Sequence, residues 1–154
     1  MKSDHITDQT TANTYRFNRY KYSYIYYAHS IALYNSDQEK QDLEFLQSIN
    51  TVLNPRDLNK GGMPVFINFT LYAKQVWYRG YTSGDCLEVI VALLKHIPVY
   101  SLDTGLAISI EEQRRIIDTY SKTGLVESDI AMLSSIFSKS FVIRFCDFIE
   151  GDFP

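Results

Sequence analysis

The sequence is poor in cysteine: Cys86 and Cys146 are the only two. Two thiols do not make a disulfide-stapled scaffold, and a reducing, cytoplasmic setting is the expectation. Histidine is scarce as well, with three in the chain, and neither a Cys-x-x-Cys nor a His-Glu-x-x-His pattern occurs. No zinc site is therefore expected, structural or catalytic. Long apolar runs are missing too. A membrane-spanning helix requires about 18–20 consecutive apolar residues, and Lys, Arg, Asp or Asn interrupts every candidate. The segment from Met1 to Thr14 lacks the apolar centre of a secretory signal. Positive charge is in slight deficit, 15 Lys and Arg against 18 Asp and Glu, for a formal charge of −3. That balance speaks against gripping a nucleic acid polymer, which takes many cationic phosphate contacts. It leaves open a small anionic ligand held by a few local donors.

What remains is ample for a core. Of 154 residues, 45% are hydrophobic and 14% aromatic, which suits one domain of ordinary size. Residues 1–20 are polar and aperiodic and read as a loose arm, leaving residues 21–154 as a single domain. Tyr15 to Tyr22 interleaves basic and aromatic side chains. Such a pattern suits either a base-stacking surface or an arm that packs its aromatics while its cations stay wet.

Along the chain, strand and helix signals alternate. Tyr22 to Ala28 is an aromatic and β-branched run that reads as a first strand. Ser36-Asp37-Gln38-Glu39 is a capping box, followed at helical spacing by Leu43, Leu46 and Ile49, so residues 37–49 read as a helix. Thr51 to Leu53 is a second strand, stopped by Asn54-Pro55. Lys60-Gly61-Gly62 is a turn, and Pro64 opens a helix to about Tyr72. Gln75 to Tyr78 is a third strand, Asp85 to His96 an apolar helix, and Ile97 to Tyr100 a fourth strand. Ser109 to Glu112 caps a helix to about Ser121, and Val126 to Ser138 is another. Phe141 to Phe145 reads as a last strand. Alternation on this scale predicts a three-layer α/β domain, Rossmann-like or flavodoxin-like, with a mostly parallel sheet of about five strands.

In such sheets ligands gather at the carboxyl ends of the strands. Those ends supply His29 and Ser30, Asn54, Tyr78 and Arg79, and the Thr82-Ser83-Gly84 loop. A Ser-Gly turn entering a helix presents free amides and a positive dipole end. Glu88 is expected in or next to that helix's first turn, where it serves either as a reactive carboxylate or, with Asp85, as an Asp-x-x-Glu cap. Tyr24, Tyr26, Tyr27, Trp77, Tyr78 and Tyr81 cluster near the same ends; most belong to the core, and some could stack on a base.

The segment Ser83-Gly-Asp-Cys-Leu-Glu88-Val-Ile-Val-Ala92, with Pro98-Val99 after it, resembles the signature of the nucleoside 2-deoxyribosyltransferase-like family, Ser-Gly-Thr-x-x-Glu-x-Gly-x-Ala and then Gly-Lys-Pro-Val. Ile25-Tyr-Tyr-Ala-His-Ser30 is similar to that family's opening Ile-Tyr-Leu-Ala-Gly-Pro, and Val52-Leu-Asn-Pro55 to its second-strand Val-Leu-x-Pro. The likeness spans about residues 24–101. It implies cleavage or transfer at the N-glycosidic bond of a (deoxy)nucleoside or its 5′-monophosphate. Glu88 would be the nucleophile and Tyr26 its hydrogen-bonding partner. It also implies a homodimer or larger homo-oligomer, and no cofactor or metal. Two family carboxylates are absent: Ala73-Lys74 stands where the family has Ala-Asp, and Arg79-Gly-Tyr-Thr holds no acid. A guanidinium at Arg79 beside the Ser83-Gly84 amides would favour a phosphate, with Ser30, His29 and Asn54 as further contacts. The alternative is a catalytically silent module of the same fold that binds or sequesters a nucleotide.

Overall fold

The computed structural model describes residues 22–58, 62–80 and 82–151. The arm assigned to residues 1–20, Lys60 and Gly61 of the expected turn, and Tyr81 lie outside the described residues. Strand β1 (Ile25–His29) is buried along its whole length. That is what a strand covered on both faces requires, and it explains the continuous apolar run in place of alternation. Helix α1 (Asp37–Gln47) starts where Ser36 accepts a hydrogen bond from the Glu39 amide at 3.1 Å. Short β2 (Val52–Leu53) and a 3-10 turn (Pro55–Leu58) lead to α2 (Gly62–Leu71). Then come β3 (Gln75–Arg79), α3 (Ser83–Leu94) and β4 (Val99–Ser101), followed by α4 (Ile110–Thr123), α5 (Val126–Ile136) and α6 (Lys139–Ile149).

All three strand pairings are parallel, in the order β2-β1-β3-β4. Ile25 of β1 sits opposite Val52 and Gln75, and Trp77 of β3 opposite Tyr100. This is an α/β architecture compatible with a Rossmann-like fold. Side chains leave the strands alternately to two faces. Tyr24, Tyr26, Ala28, Val76, Tyr78 and Val99 join the larger core with α2, α3, α4 and the last two helices. Ile25, Tyr27 and Trp77 form a smaller core with Leu46 of α1. Among the described residues, no helix is long and apolar enough to cross a membrane.

The expected fifth strand is corrected. Residues 141–145 lie within α6, and the sheet has four strands. Ser138 caps that helix by accepting from the Phe141 amide at 3.2 Å. Phe141, Phe145 and Phe148, spaced four and three residues apart, are its buried stripe. Arg144 reaches across to donate to the Leu94 carbonyl at the end of α3, at 2.7 Å. A run of five residues with four apolar side chains fits either structure; the third phenylalanine and the serine cap decide for the helix.

Candidate functional site

From β1 the chain turns through α1 to β2 on one side, and after α2 returns to β3 on the other side of β1. The segments that follow β1 and β3 therefore diverge. The crevice between them, at the carboxyl ends of the strands, is where an open α/β sheet receives ligands. A cavity of about 340 Å³ lies there. Its walls come from His29 at the end of β1, from the loop after it (Ser30, Tyr34), from the start of α3 (Thr82, Gly84, Asp85, Glu88), and from Met63 and Phe66 of α2. Ile31, Ala32 and Pro55 complete a mostly apolar lining.

Helix α3 begins at Ser83, two residues earlier than the sequence predicts. Gly80, at φ +94°, makes the turn out of β3 in a conformation that suits glycine. Thr82 is the N-cap, and its amide donates to Asp85 Oδ1 at 2.9 Å; the Thr82 hydroxyl also contacts that oxygen. The capping box is thus Thr82 with Asp85, and the expected Asp85–Glu88 cap does not form. Glu88 falls in the second turn, on the same face as Asp85 and about one turn further in. A side chain on Gly84 would come within 3.3 Å of the Met63 terminal methyl, so the glycine lets α2 close on α3 at the cavity.

Glu88 is buried yet forms part of the cavity wall. Its Oε1 has no hydrogen-bond partner, and neither does the hydroxyl of fully buried Tyr26 on β1. The two groups are neighbours, close enough for each to shift the other's titration. Burial drives the Glu88 carboxyl well above the usual range, and the adjacent Asp85 charge pushes the same way. Burial likewise raises Asp85 to about 7, against the pull of the Thr82 and Asp85 amides. Tyr34, facing the same space, is raised by burial and by the Glu88 charge.

Of the other predicted contacts, Ser30 and Gly84 line the cavity, and His29 does so from within a hydrogen-bonded network. The His29 ring stacks on Tyr27 at 3.7 Å. Its Nε2 lies 2.8 Å from Glu39 Oε2 and its Nδ1 3.1 Å from the Tyr27 carbonyl. Both nitrogens are thus engaged, and the ring is held as a wall, not presented for proton transfer. Asn54 donates to Glu39 at 3.4 Å and accepts from the Arg56 amide at 3.0 Å; it buttresses the network behind the wall. Arg79 is not brought to the cavity. Its guanidinium grips buried Asp42 with two hydrogen bonds, at 2.8 and 3.1 Å, and Asp103 at 2.5 Å. Of Ser83 the backbone opens α3.

Sequence reasoning missed Tyr34, Met63 and Phe66, and treated Asp85 as a cap alone. Tyr24, Tyr26, Tyr27, Trp77 and Tyr78 are core residues. Tyr34 stands five residues beyond the end of β1, and a strand-end loop carrying an aromatic was the available signal. Among the described residues no three His, Cys, Asp or Glu side chains converge as a metal centre would need. No protein family, curated protein or solved structure matches the chain. Chemically, the site offers two carboxyls whose pKa values burial raises, in an apolar cleft with a phenol beside them.

Proposed function

We propose that the protein cleaves or transfers at the N-glycosidic bond of a (deoxy)nucleoside, with Glu88 as nucleophile. The observation that supports this most is the Glu88 carboxyl itself: buried, with Oε1 unpartnered, and set in the wall of a cavity large enough for a sugar and a base. A buried carboxyl oxygen with no structural partner carries a desolvation cost that a ligand using it would offset. In this reading Glu88 attacks C1′ as the base departs, and water or another base resolves the glycosyl intermediate. Positive charge developing on the sugar favours the ionised carboxylate, and the dry surroundings make that attraction stronger than in water. The resemblance gives Tyr26, whose hydroxyl is free beside Glu88, the task of holding it in attack geometry, while Ser30 and the Thr82–Gly84 backbone would contact the sugar end.

Arg79, committed to Asp42 and Asp103, leaves the phosphate of a 5′-monophosphate without its expected guanidinium, so free nucleosides are the better substrates here. The resemblance extends the reading to a homodimer or larger homo-oligomer. The free thiols of Cys86 and Cys146 accord with a cytoplasmic setting. The same cavity also supports a second reading, a binding module without chemistry, because a carboxyl kept protonated by burial is a donor before it is a nucleophile.

Incubation with a panel of (deoxy)nucleosides and their 5′-monophosphates, followed by chromatography for free base, tests both readings. Base release that falls on the order of a thousandfold in Glu88→Ala is the expected result. Binding without release points to the module, and release undiminished in Glu88→Ala removes Glu88 from the reaction.

A further inference from the structure

Four buried carboxylates stand near the carboxyl end of the sheet, and they fall into two pairs. Glu39 and Asp42 are answered within the fold by His29, Arg56 and Arg79. Asp85 and Glu88 have no such answer. Neither makes an ion pair with any described residue, and the groups acting on Glu88 are Asp85 and Tyr26, an acid and a phenol. No lysine or arginine is among the described residues of the cavity wall. The cationic groups nearest the pair are spoken for: His29 on the wall and Arg56, whose charge reaches Tyr34, both pair with Glu39. Cys86 on the same helix is pushed up to about 12 by burial, and Tyr34 from the loop after β1 stays a neutral phenol. His29 is already turned to Glu39. The same cavity is lined by the aromatic rings of Tyr34 and Phe66 and by the polarisable side chain of Met63.

We infer that the cavity takes a cationic ligand, and specifically a nucleoside whose base is a quaternised, positively charged heterocycle. The ligand supplies the positive counter-charge that the fold withholds from the Asp85–Glu88 pair. A flat cation gains twice in this setting, from carboxyls that it draws into ionisation and from the aromatic ring of Tyr34. The chemistry also closes without a proton donor for the leaving group. As the Glu88 oxygen bonds to C1′, the C1′–N bond breaks and its electron pair neutralises the ring, which departs as a neutral base. Water then bonds to C1′ as the Glu88–C1′ bond breaks, its proton passing to the Asp85 carboxylate. The absence of the family's other acids is then no handicap. This step rests on the glycosidic reading; the preference for a cation does not.

The two claims separate by experiment. The carbocyclic analogue of nicotinamide riboside keeps the pyridinium charge and has no glycosidic bond, and benzamide riboside is its neutral counterpart. Calorimetric titration of the protein at pH 7, in buffers of different ionisation heat, should show the cation binding about tenfold tighter or more, with release of about one proton per ligand. Glu88→Gln and Asp85→Asn, each checked for folding by its melting temperature, should both reduce that preference. The second variant retains an oxygen for the Thr82 amide, so it keeps the cap. Equal binding of the two analogues, binding of neither, or binding without proton release overturns the inference. Nicotinamide release from nicotinamide riboside is followed separately by chromatography. Selective cation binding without release upholds the ligand class and removes the chemistry, and release from neutral nucleosides without cation preference does the reverse.

Discussion

Glu39 and Asp42 on α1 are 1% and 3% exposed, and Asp85 and Glu88 on α3 are both 3% exposed. Solvent exposure is thus alike, but Asp85 and Glu88 lie deeper and the partners differ. Burial pushes Glu39 up, but His29, the Asn35 amide, Asn54 and Arg56 outweigh it, and its carboxyl ends below its ordinary range. Asp42 accepts from Tyr27 at 2.6 Å and Gln38 at 3.0 Å as well as from Arg79. The first pair is a finished structural element that ties α1 to β1 and β3. The second is left open at a cavity, where the cost of its desolvation is unrelieved. Location in the fold explains the difference, since α1 faces strand ends that carry His29 and Arg79, whereas α3 faces Tyr26, Tyr34 and α2.

The Glu39–Asp42 pair should give the largest effect. Asp42→Ala leaves Arg79 and the Tyr27 hydroxyl without their buried acceptor and should cost about 3 kcal/mol in denaturant unfolding. Partial exposure of Arg79, at 20%, puts this at the low end for a buried pair. A loss under about 1 kcal/mol would show that the network is no more than a surface ion pair.

Glu88→Gln should act in the opposite direction, raising stability by about 2 kcal/mol at pH 8, because it removes a carboxyl whose ionisation the fold resists. The pH dependence carries the same sign. Where the folded pKa of an acid is raised, the unfolded chain gives up its proton first, so stability falls as pH rises between the two values. For Asp85 that window runs from its ordinary 3.8 to about 7. Melting temperatures of the wild type should therefore decline across it more steeply than those of Asp85→Asn. Glu39 has the reverse sign: its contribution is present above its ordinary 4.5 and is lost as pH falls through the lowered value. A wild-type profile no steeper than that of the variant would contradict the picture of an uncompensated pair. The smallest effect is expected from Gln38→Ala, which removes one secondary donor to Asp42 and should cost about 0.5–1 kcal/mol. A larger loss would make Gln38 a principal support of the finished pair.

Much of the fold could be read from short signals. The aromatic and β-branched runs at Ile25, Gln75 and Val99 and the serine caps at Ser36 and Ser109 each mark an element that forms, to within a few residues. The capping box at Ser36 was legible only in part. Ser36 does receive the Glu39 amide, but the Glu39 carboxylate reaches the Asn35 amide, His29 and Arg56 in place of the expected Ser36 amide. Local spacing names the acid; partners 10 and 17 residues away decide its task. At the candidate site, Ser83 and Gly84, expected in the loop before the helix, form its first turn, and Glu88 follows in the second. The fate of Arg79 was not legible, because Asp42 lies 37 residues away and meets it only across the sheet.

By itself the sequence determined the alternation of strands and helices, and so a parallel sheet with its ligand crevice at the strand ends. Those features follow from hydrophobic period and capping, which act within a few residues. Tertiary structure alone decided which buried acids are neutralised and which face a cavity. Electrostatic compensation depends on distances of a few ångströms between residues far apart in the chain, and no local pattern carries that information.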